Sequence, residues 1–163
     1  MNESEYGLLR MVELLQAVHS NIDGIVSAPT NLRDYPTGSV NPMDMPMVLS
    51  IPDEGTWDMF DMSAQDKQIR RFNVKLLVST NMTGLDGQSL ETTVQLIQRL
   101  GQAYTRRNTQ QLQAAPSQIL LNNQDVAVTD TGVTALVAWM DELYWGAEFV
   151  VTLYEKYTIG ESG

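Results

Sequence analysis

The stretch that most constrains this chain runs from Val133 to Tyr157. It reads Val133-Thr-Ala-Leu-Val-Ala-Trp139, then Met140-Asp141-Glu142, then Leu143-Tyr-Trp145-Gly146-Ala147-Glu148-Phe149-Val-Val-Thr-Leu-Tyr154-Glu-Lys-Tyr157. Residues branched at Cβ and aromatic residues suit a pleated, half-buried surface. Two such runs with a short connector predict a β-hairpin. In the second run Ala147, Phe149, Val151 and Leu153 alternate with Glu148, Val150, Thr152 and Tyr154. Successive strand residues point to opposite sides, so the first, wholly apolar set is expected to face the core. Gly146 interrupts the run just after the connector, which predicts a bulge or a close backbone approach. The earlier elements are expected to pack against this ribbon.

Those earlier elements follow from periodicity. Leu8, Val12, Leu15, Val18, Ile22 and Ile25 or Val26 recur at helical steps and predict an amphipathic helix from about Ser4 to Ile25. Ser4 is its expected N-cap, with Glu5 near the positive end, and Gly24 and Pro29 mark its exit. The one histidine, His19, lies beside the stripe. A metal or catalytic role needs partners, and no second histidine exists to share a site. A surface or half-buried helix histidine is the expectation. Residues 28–46 hold Pro29, Pro36, Pro42 and Pro46, which forbid regular helix and central strand. Proline lowers the entropy lost on ordering, so a fixed extended arm is expected there. Met47 to Ile51 is a short strand stopped by Pro52.

Residues 52–68 are expected to form a loop in which acids alternate with large apolar side chains. Three readings stand for it. Asp53, Glu54, Asp58 and Asp61 offer oxygen ligands to a metal, although their spacing matches no calcium loop. Trp57, Met59, Phe60 and Met62, with Asp58 and Asp61 among them, form an interaction surface of the aromatic and Met-rich kind. Or these side chains fold back onto the body. Next, Ile69 to Ser79 alternates Phe72, Val74, Leu76 and Val78 against Arg71, Asn73, Lys75 and Leu77, as a half-buried antiparallel strand does. After a turn, Ser89 is expected to cap a second helix with the stripe Leu90, Val94, Ile97, Leu100 and Tyr104, and with Gly101 allowing close packing. Arg99, Arg106 and Arg107 suit the negative helix end, and a phosphate-binding cluster is the sharper alternative. A Gln-rich linker (108–118), a strand at Ile119 to Leu121 and two turns lead into the closing hairpin.

Helices and strands are segregated along the chain. The expected fold is therefore α+β, a single domain over residues 1–163 with a mostly antiparallel sheet and two main helices packed on it. Its expected core includes Phe72, Val74, Leu76, Phe149, Val151 and Leu153.

Composition narrows function. Lys and Arg total 10 against 20 Asp and Glu, a formal net charge of -10. That opposes sequence-independent nucleic-acid binding and docking on anionic membranes, both of which need a basic face. There is no cysteine, which removes disulfides, thiolate zinc sites and thiol nucleophiles. No phosphate-binding glycine loop or nucleophile elbow occurs, and no cofactor or enzymatic activity is expected. The acidic N-terminus is unlike a signal peptide, no apolar run has bilayer-spanning length, and the expected place of assembly is a cytoplasm.

The closing run Glu142-Leu-Tyr144-Trp145-Gly146-Ala147-Glu148-Phe149-Val-Val-Thr-Leu-Tyr154 resembles the C-terminal strand of tail terminators and related head–tail connector proteins of tailed bacteriophages. Those proteins often end in a Tyr-x-Gly-Ala-x-Phe run followed by alternating apolar residues. The order of elements is similar too: N-terminal helix, Pro-rich arm with Tyr35-Pro36, strand between Pro46 and Pro52, long strand, helix and final meander. The resemblance implies a small α+β virion subunit without catalysis. It implies a homo-oligomeric ring, usually a hexamer, in the tail or neck. The ring caps the tail tube, meets the tail tube protein and a head-completion or connector protein, and lets DNA pass without specific binding. Another neck or tail completion role is the alternative within that group. An acidic protein-interaction module and a metal-assisted hydrolase are the alternatives outside it. On the ring reading, the 52–68 loop is expected to contact a neighbouring subunit or the tube.

Overall fold

The computed structural model describes residues 7–58, 65–80, 87–104, 118–121, 129–130 and 135–158. Two helices, α1 (Gly7–Ser20) and α2 (Gly87–Ala103), accompany six strands. The strands are β1 (Met47–Asp58), β2 (Gln65–Thr80), β3 (Gln118–Leu121), β4 (Thr129–Asp130), β5 (Ala135–Trp139) and β6 (Glu142–Thr158). All strand pairings among them are antiparallel and join one sheet, so the fold is α+β.

The axis of that sheet is β6. One of its edges pairs with β2 along almost its full length, from Tyr144↔Thr80 to Thr158↔Gln65. Its other edge takes three short strands in succession: β5 against Glu142–Gly146, β4 against Phe149 and Val150, and β3 against Leu153–Lys156. These three amount to one interrupted return track. Seven residues (122–128) separate β3 from β4 where β6 advances by two, Val151 and Thr152. Four residues (131–134) separate β4 from β5 where β6 again advances by two, Ala147 and Glu148. The alternating run 142–158 can serve as one straight rail because it contains no proline.

Gly146 marks the tightest point of the sheet. The β2–β6 register shifts between Leu77 and Ser79, so Val78 is an extra residue opposite Gly146 and Trp145. A Cβ on Gly146 would stand 1.8 Å from the Leu76 carbonyl oxygen. Bulge and close backbone approach, posed above as alternatives, occur together, with the bulge on the facing strand. The β5–β6 connection is a two-residue turn, Met140-Asp141, with both φ angles positive (47° and 70°). Hairpins favour this turn because its twist matches the strands.

Each sheet face has its own cover. On one face lie Val48, Ser50, Phe72, Val74, Leu76, Ala147, Phe149 and Val151, all buried. The helices cover it: Gln16 of α1 bonds Ser50, and Tyr104 after α2 meets Phe149 edge-on at 5.8 Å. On the opposite face Leu49, Leu77, Val137, Trp139 and Tyr144 are also buried. Here the cover is the Pro-rich segment. Pro36 carbonyl accepts from Trp139 Nε1 at 3.0 Å, and Tyr35 meets the Trp139 ring edge-on. Val40 N–H donates to the Tyr144 hydroxyl at 3.0 Å, and Tyr35, Val40 and Met45 are buried. The segment thus crosses from the helix side around β1 to the far side. That explains why Leu77, expected among polar residues, is buried.

The same crossing closes the outer edge of β1. Val48 N–H donates to Ser27 carbonyl (3.0 Å), and Val48 carbonyl accepts from Gln16 Nε2 (2.8 Å). The Tyr35 hydroxyl donates to Ser50 carbonyl (2.9 Å) and accepts from Ser50 N–H (3.2 Å), in the manner of a neighbouring strand. Two residues further on stands Pro52, which has no N–H to satisfy. Unpaired edges invite foreign strands, and this one is blocked from Val48 to Pro52.

Several expectations need correction. Helix α1 ends at Ser20, so Ile22 and Ile25 pack from the following turns. Its expected cap Ser4 lies outside the described residues. Pro52 does not stop β1. As an edge residue it is tolerated, and the register shift between Pro52 and Gly55 absorbs the disturbance. The 52–68 stretch is therefore mostly strand, with only 59–64 between β1 and β2. Helix α2 begins at Gly87, so Ser89 is inside its first turn, where its carbonyl accepts from Thr93 Oγ1. The buried stripe of α2 is Thr93, Leu96, Leu100 and Tyr104, whereas Leu90 and Val94 are exposed. Nothing lies within 4 Å of a Cβ built on Gly101, so close packing is not its role. Arg106, Arg107 and the Gln-rich linker up to Ser117 lie outside the described residues.

Two glycine substitutions test this architecture by urea unfolding. Gly146→Ala is expected to lose at least about 3 kcal/mol, at the top of the usual overpacking range, because backbone must move. Gly101→Ala is expected to gain roughly 0.5–1 kcal/mol, since it removes helix-interior backbone entropy and meets open space.

Candidate interaction surfaces

The loop residues singled out for interaction divide between two situations. Trp57 and Asp58 are the last residues of β1, in register with Gln68 and Lys67 of β2. Met59, Phe60, Asp61 and Met62 lie outside the described residues. The pairing of β2 extends beyond Phe72, to Lys67 with β1 and to Gln65 with β6. The metal reading meets a geometric obstacle. Asp53 and Asp58 are five residues apart along one strand, which spaces them by roughly 15 Å. Among the described residues no group of three His, Asp or Glu is placed to hold a metal ion.

His19 is not on the surface. It is fully buried, with Gln16, Ser50 and Tyr104 around it. Its Nδ1 lies 2.7 Å from Gln16 Oε1, and its Nε2 lies 2.5 Å from the Tyr104 hydroxyl. A carboxamide oxygen only accepts, so Nδ1 carries the proton and Nε2 accepts from Tyr104 O–H. Gln16 Oε1 accepts a second bond from Ser50 Oγ at 2.7 Å, and its Nε2 donates to the carbonyls of Pro29 (2.9 Å) and Val48 (2.8 Å). Burial lowers the His19 pKa to about 3 and pushes the Tyr104 phenol well above its ordinary value. Both are therefore neutral near pH 7. Among the described residues no charged group faces the ring, and the cluster reads as a structural junction of α1, the Pro-rich segment, β1 and α2. The helical stripe alone did not reveal it, because apart from Gln16 its partners come from positions 31 and 85 residues away.

Beside the arm-covered face runs an open groove of about 500 Å³, lined by Ile51, Pro52, Asp53, Asn73, Lys75 and Trp139 with Met140. Lys75 Nζ sits 5.9 Å from the Trp139 ring centre and donates to the Ala138 carbonyl at 2.6 Å. Across the end of the sheet, the β5–β6 hairpin shows a different imbalance. Val137, Trp139 and Tyr144 are buried beneath the arm, yet Leu136, Ala138 and Leu143 on the other side are exposed. Strand pairs apolar on both faces normally have both faces covered. Helix α2 likewise carries the exposed pair Leu90 and Val94 one turn apart, beside its buried stripe.

A scan against protein-family models finds no match, and no curated protein matches the chain.

The buried junction yields a pH prediction. The folded His19 pKa lies below its unfolded value of 6.5, so the unfolded chain binds the extra proton between the two. The His19 contribution to stability is complete above pH 6.5 and is lost as pH falls toward 3, at about 1.4 kcal/mol per unit. Urea unfolding at pH 7 and pH 5 is expected to show a drop about 2 kcal/mol larger for the wild type than for His19→Gln. Tyr104→Phe, which leaves the imidazole Nε2 without its donor, is expected to cost about 1–3 kcal/mol at pH 7.

Proposed function

We propose that this chain is a structural virion subunit of a tailed bacteriophage, a ring-forming tail terminator that caps the tail tube and joins it to the head. The observation carrying the reading is the placement of the Tyr144-Trp-Gly-Ala-Glu-Phe149 run. It lies on β6, the axis of the sheet, and Gly146 within it meets the facing strand too closely for any side chain. The run that resembles tail terminators is thus the one on which this fold hangs. The order of helix, Pro-rich arm, paired strands, helix and return track supports the same reading.

The role asks for surfaces and not for chemistry. A ring around passing DNA functions best without tight binding, and a net charge of -10 repels phosphates. The β1–β2 ribbon, with Trp57 near the end of β1, is the part assigned to a neighbour or the tube. The fixed arm braces the sheet from the other side.

Negative-stain electron microscopy of the purified protein is expected to show rings, alone or after addition of tail tubes. In a head–tail joining assay, Trp57→Ala/Phe60→Ala is expected to reduce joining at least about tenfold, as loss of two interface aromatics does, with the far-ultraviolet circular dichroism unchanged. Joining at the wild-type level would remove the β1–β2 ribbon from the contact. The absence of rings with and without tubes would remove the terminator reading itself.

A further inference from the structure

A second proton on the His19 ring changes one of its two bonds and spares the other. Nδ1 already donates to Gln16 Oε1, and an imidazolium keeps that bond. Nε2 accepts from the Tyr104 hydroxyl, and a protonated Nε2 can only donate. The phenol oxygen can turn to accept from it. The hydroxyl has no other hydrogen-bond partner among the described residues, however, so its own hydrogen is then left unmade beside the Phe149 ring. The new charge is buried as well. Gln16 faces the ring from α1, Ser50 from β1 and Tyr104 from the end of α2, and of these only Tyr104 titrates. The charged residues closest along the chain are Asp23 and Arg99, four residues from His19 and five from Tyr104. They serve each other, with Arg99 donating to the Asp23 carbonyl at 2.8 Å.

We propose that the His19–Tyr104 bond is an acid-sensitive latch: protonation of His19 frees the C-terminal end of α2 from α1 and the sheet, while the sheet stays paired. Geometry confines the break to that place. Gln16 holds α1 to Pro29, Val48 and Ser50 through its own carboxamide, and none of these bonds passes through Nε2. The pairing of β2 with β6 runs from backbone to backbone and does not include α2. The seam between the two helix ends, by contrast, is already open. A groove of about 380 Å³ lies along it, lined by Val18, Ile22 and Asp23 on the α1 side and by Arg99, Gln102 and Ala103 on the α2 side. Val18 and Ala103 are the chain neighbours of His19 and Tyr104, so the groove adjoins the buried pair. Release uncovers Leu96, Leu100 and Tyr104, together with Phe149 that Tyr104 meets, all of them buried while the latch is closed. The inference does not depend on the ring-forming reading.

Native-state hydrogen exchange of the full chain, at pH 7 and pH 5 and in low urea, tests it. Burial lowers the His19 pKa from 6.5 to about 3, so any state that hydrates the ring binds the extra proton between those values. After correction for the intrinsic pH dependence of exchange, the opening of α2 is expected to become about twentyfold more populated from pH 7 to pH 5. The amides of Leu96 to Ala103 are expected to lose protection by that factor and to exchange independently of low urea, as a local opening does. Those of Val74, Leu76, Phe149 and Val151 are expected to stay at least about tenfold better protected and to follow urea as global unfolding does. His19→Gln is expected to remove the pH dependence at α2. His19 is the chain's single histidine, so its ring nitrogens can also be followed by NMR in the wild type. At pH 7 they are expected to show a protonated Nδ1 and an unprotonated Nε2, with ring protonation and α2 exchange rising together. If α2 and the central strands share one protection and one urea dependence, the pair serves global stability alone and the latch is overturned. A pH dependence at α2 that survives in His19→Gln, or a ring that protonates while α2 stays protected, would overturn it equally.

Discussion

The carboxamide of Gln16 is the point on which the separate parts of this structure converge. It has two donors and an oxygen that accepts twice, and all four bonds are made, to Pro29, Val48, Ser50 and His19. A buried carboxamide is costly unless satisfied, and a satisfied one fixes the geometry of everything around it. Through His19 the bonds continue to Tyr104, and the Tyr104 ring meets Phe149 on the central strand. One continuous polar line therefore runs from the Pro-rich segment through α1 and β1 to the end of α2. No tautomeric freedom is left in it. Gln16 Oε1 dictates the proton on Nδ1, and that dictates the direction of the Tyr104 hydroxyl.

This junction also explains how a strand rich in carbonyls and N–H groups can sit at the edge of the sheet. Glutamine and tyrosine side chains stand where a further strand would pair. Gln16 takes the carbonyl of Val48, and Tyr35 takes both groups of Ser50. The phenol of Tyr35 is held un-ionised, its pKa pushed up to about 12 mainly by burial, so it remains a donor throughout the neutral range. The prolines contribute by constraint more than by contact. They keep the segment out of helix and strand and free it to cross the edge, with Pro29 and Pro36 carbonyls serving as acceptors at either end of the crossing.

Much of this was legible in the sequence because it depends on local period. The alternation around Phe149 and around Phe72 set both long strands and their buried faces, and Gly146 announced the close approach. What escaped depends on which elements meet. In α2 the residues Leu90, Val94, Ile97 and Leu100 form as good a stripe as Thr93, Leu96, Leu100 and Tyr104, and only the sheet decides between them. Thr93 reads as polar, yet its hydroxyl is satisfied by Ser89 one turn back, so burial costs it little. His19 read as half-exposed because none of its partners is near in sequence except Gln16. Pro52 read as a stop because strand interiors exclude proline, whereas the sequence does not say that β1 is an edge. Of the interaction residues, Trp57 and Asp58 proved to be strand and not loop, since the register past Pro52 resumes after one extra residue.

The two ends of the sheet differ in how their faces are covered. At the β1 edge each exposed group from Val48 to Ser50 is answered from within the chain, and the far face is roofed by the Pro-rich segment. At the β5–β6 hairpin the same segment roofs one face and nothing among the described residues roofs the other. There Trp145 Nε1 and Ser79 Oγ are buried without a hydrogen-bond partner among the described residues, as are Arg70 Nε and Asn73 Oδ1 elsewhere on β2. Each unmade bond costs the chain an amount of order 1–3 kcal/mol. The Tyr-Trp-Gly-Ala run thereby has two sides of different use. Tyr144 is turned to the arm and fixes it in place, while Trp145, one residue on, is turned to the opposite face beside Leu136.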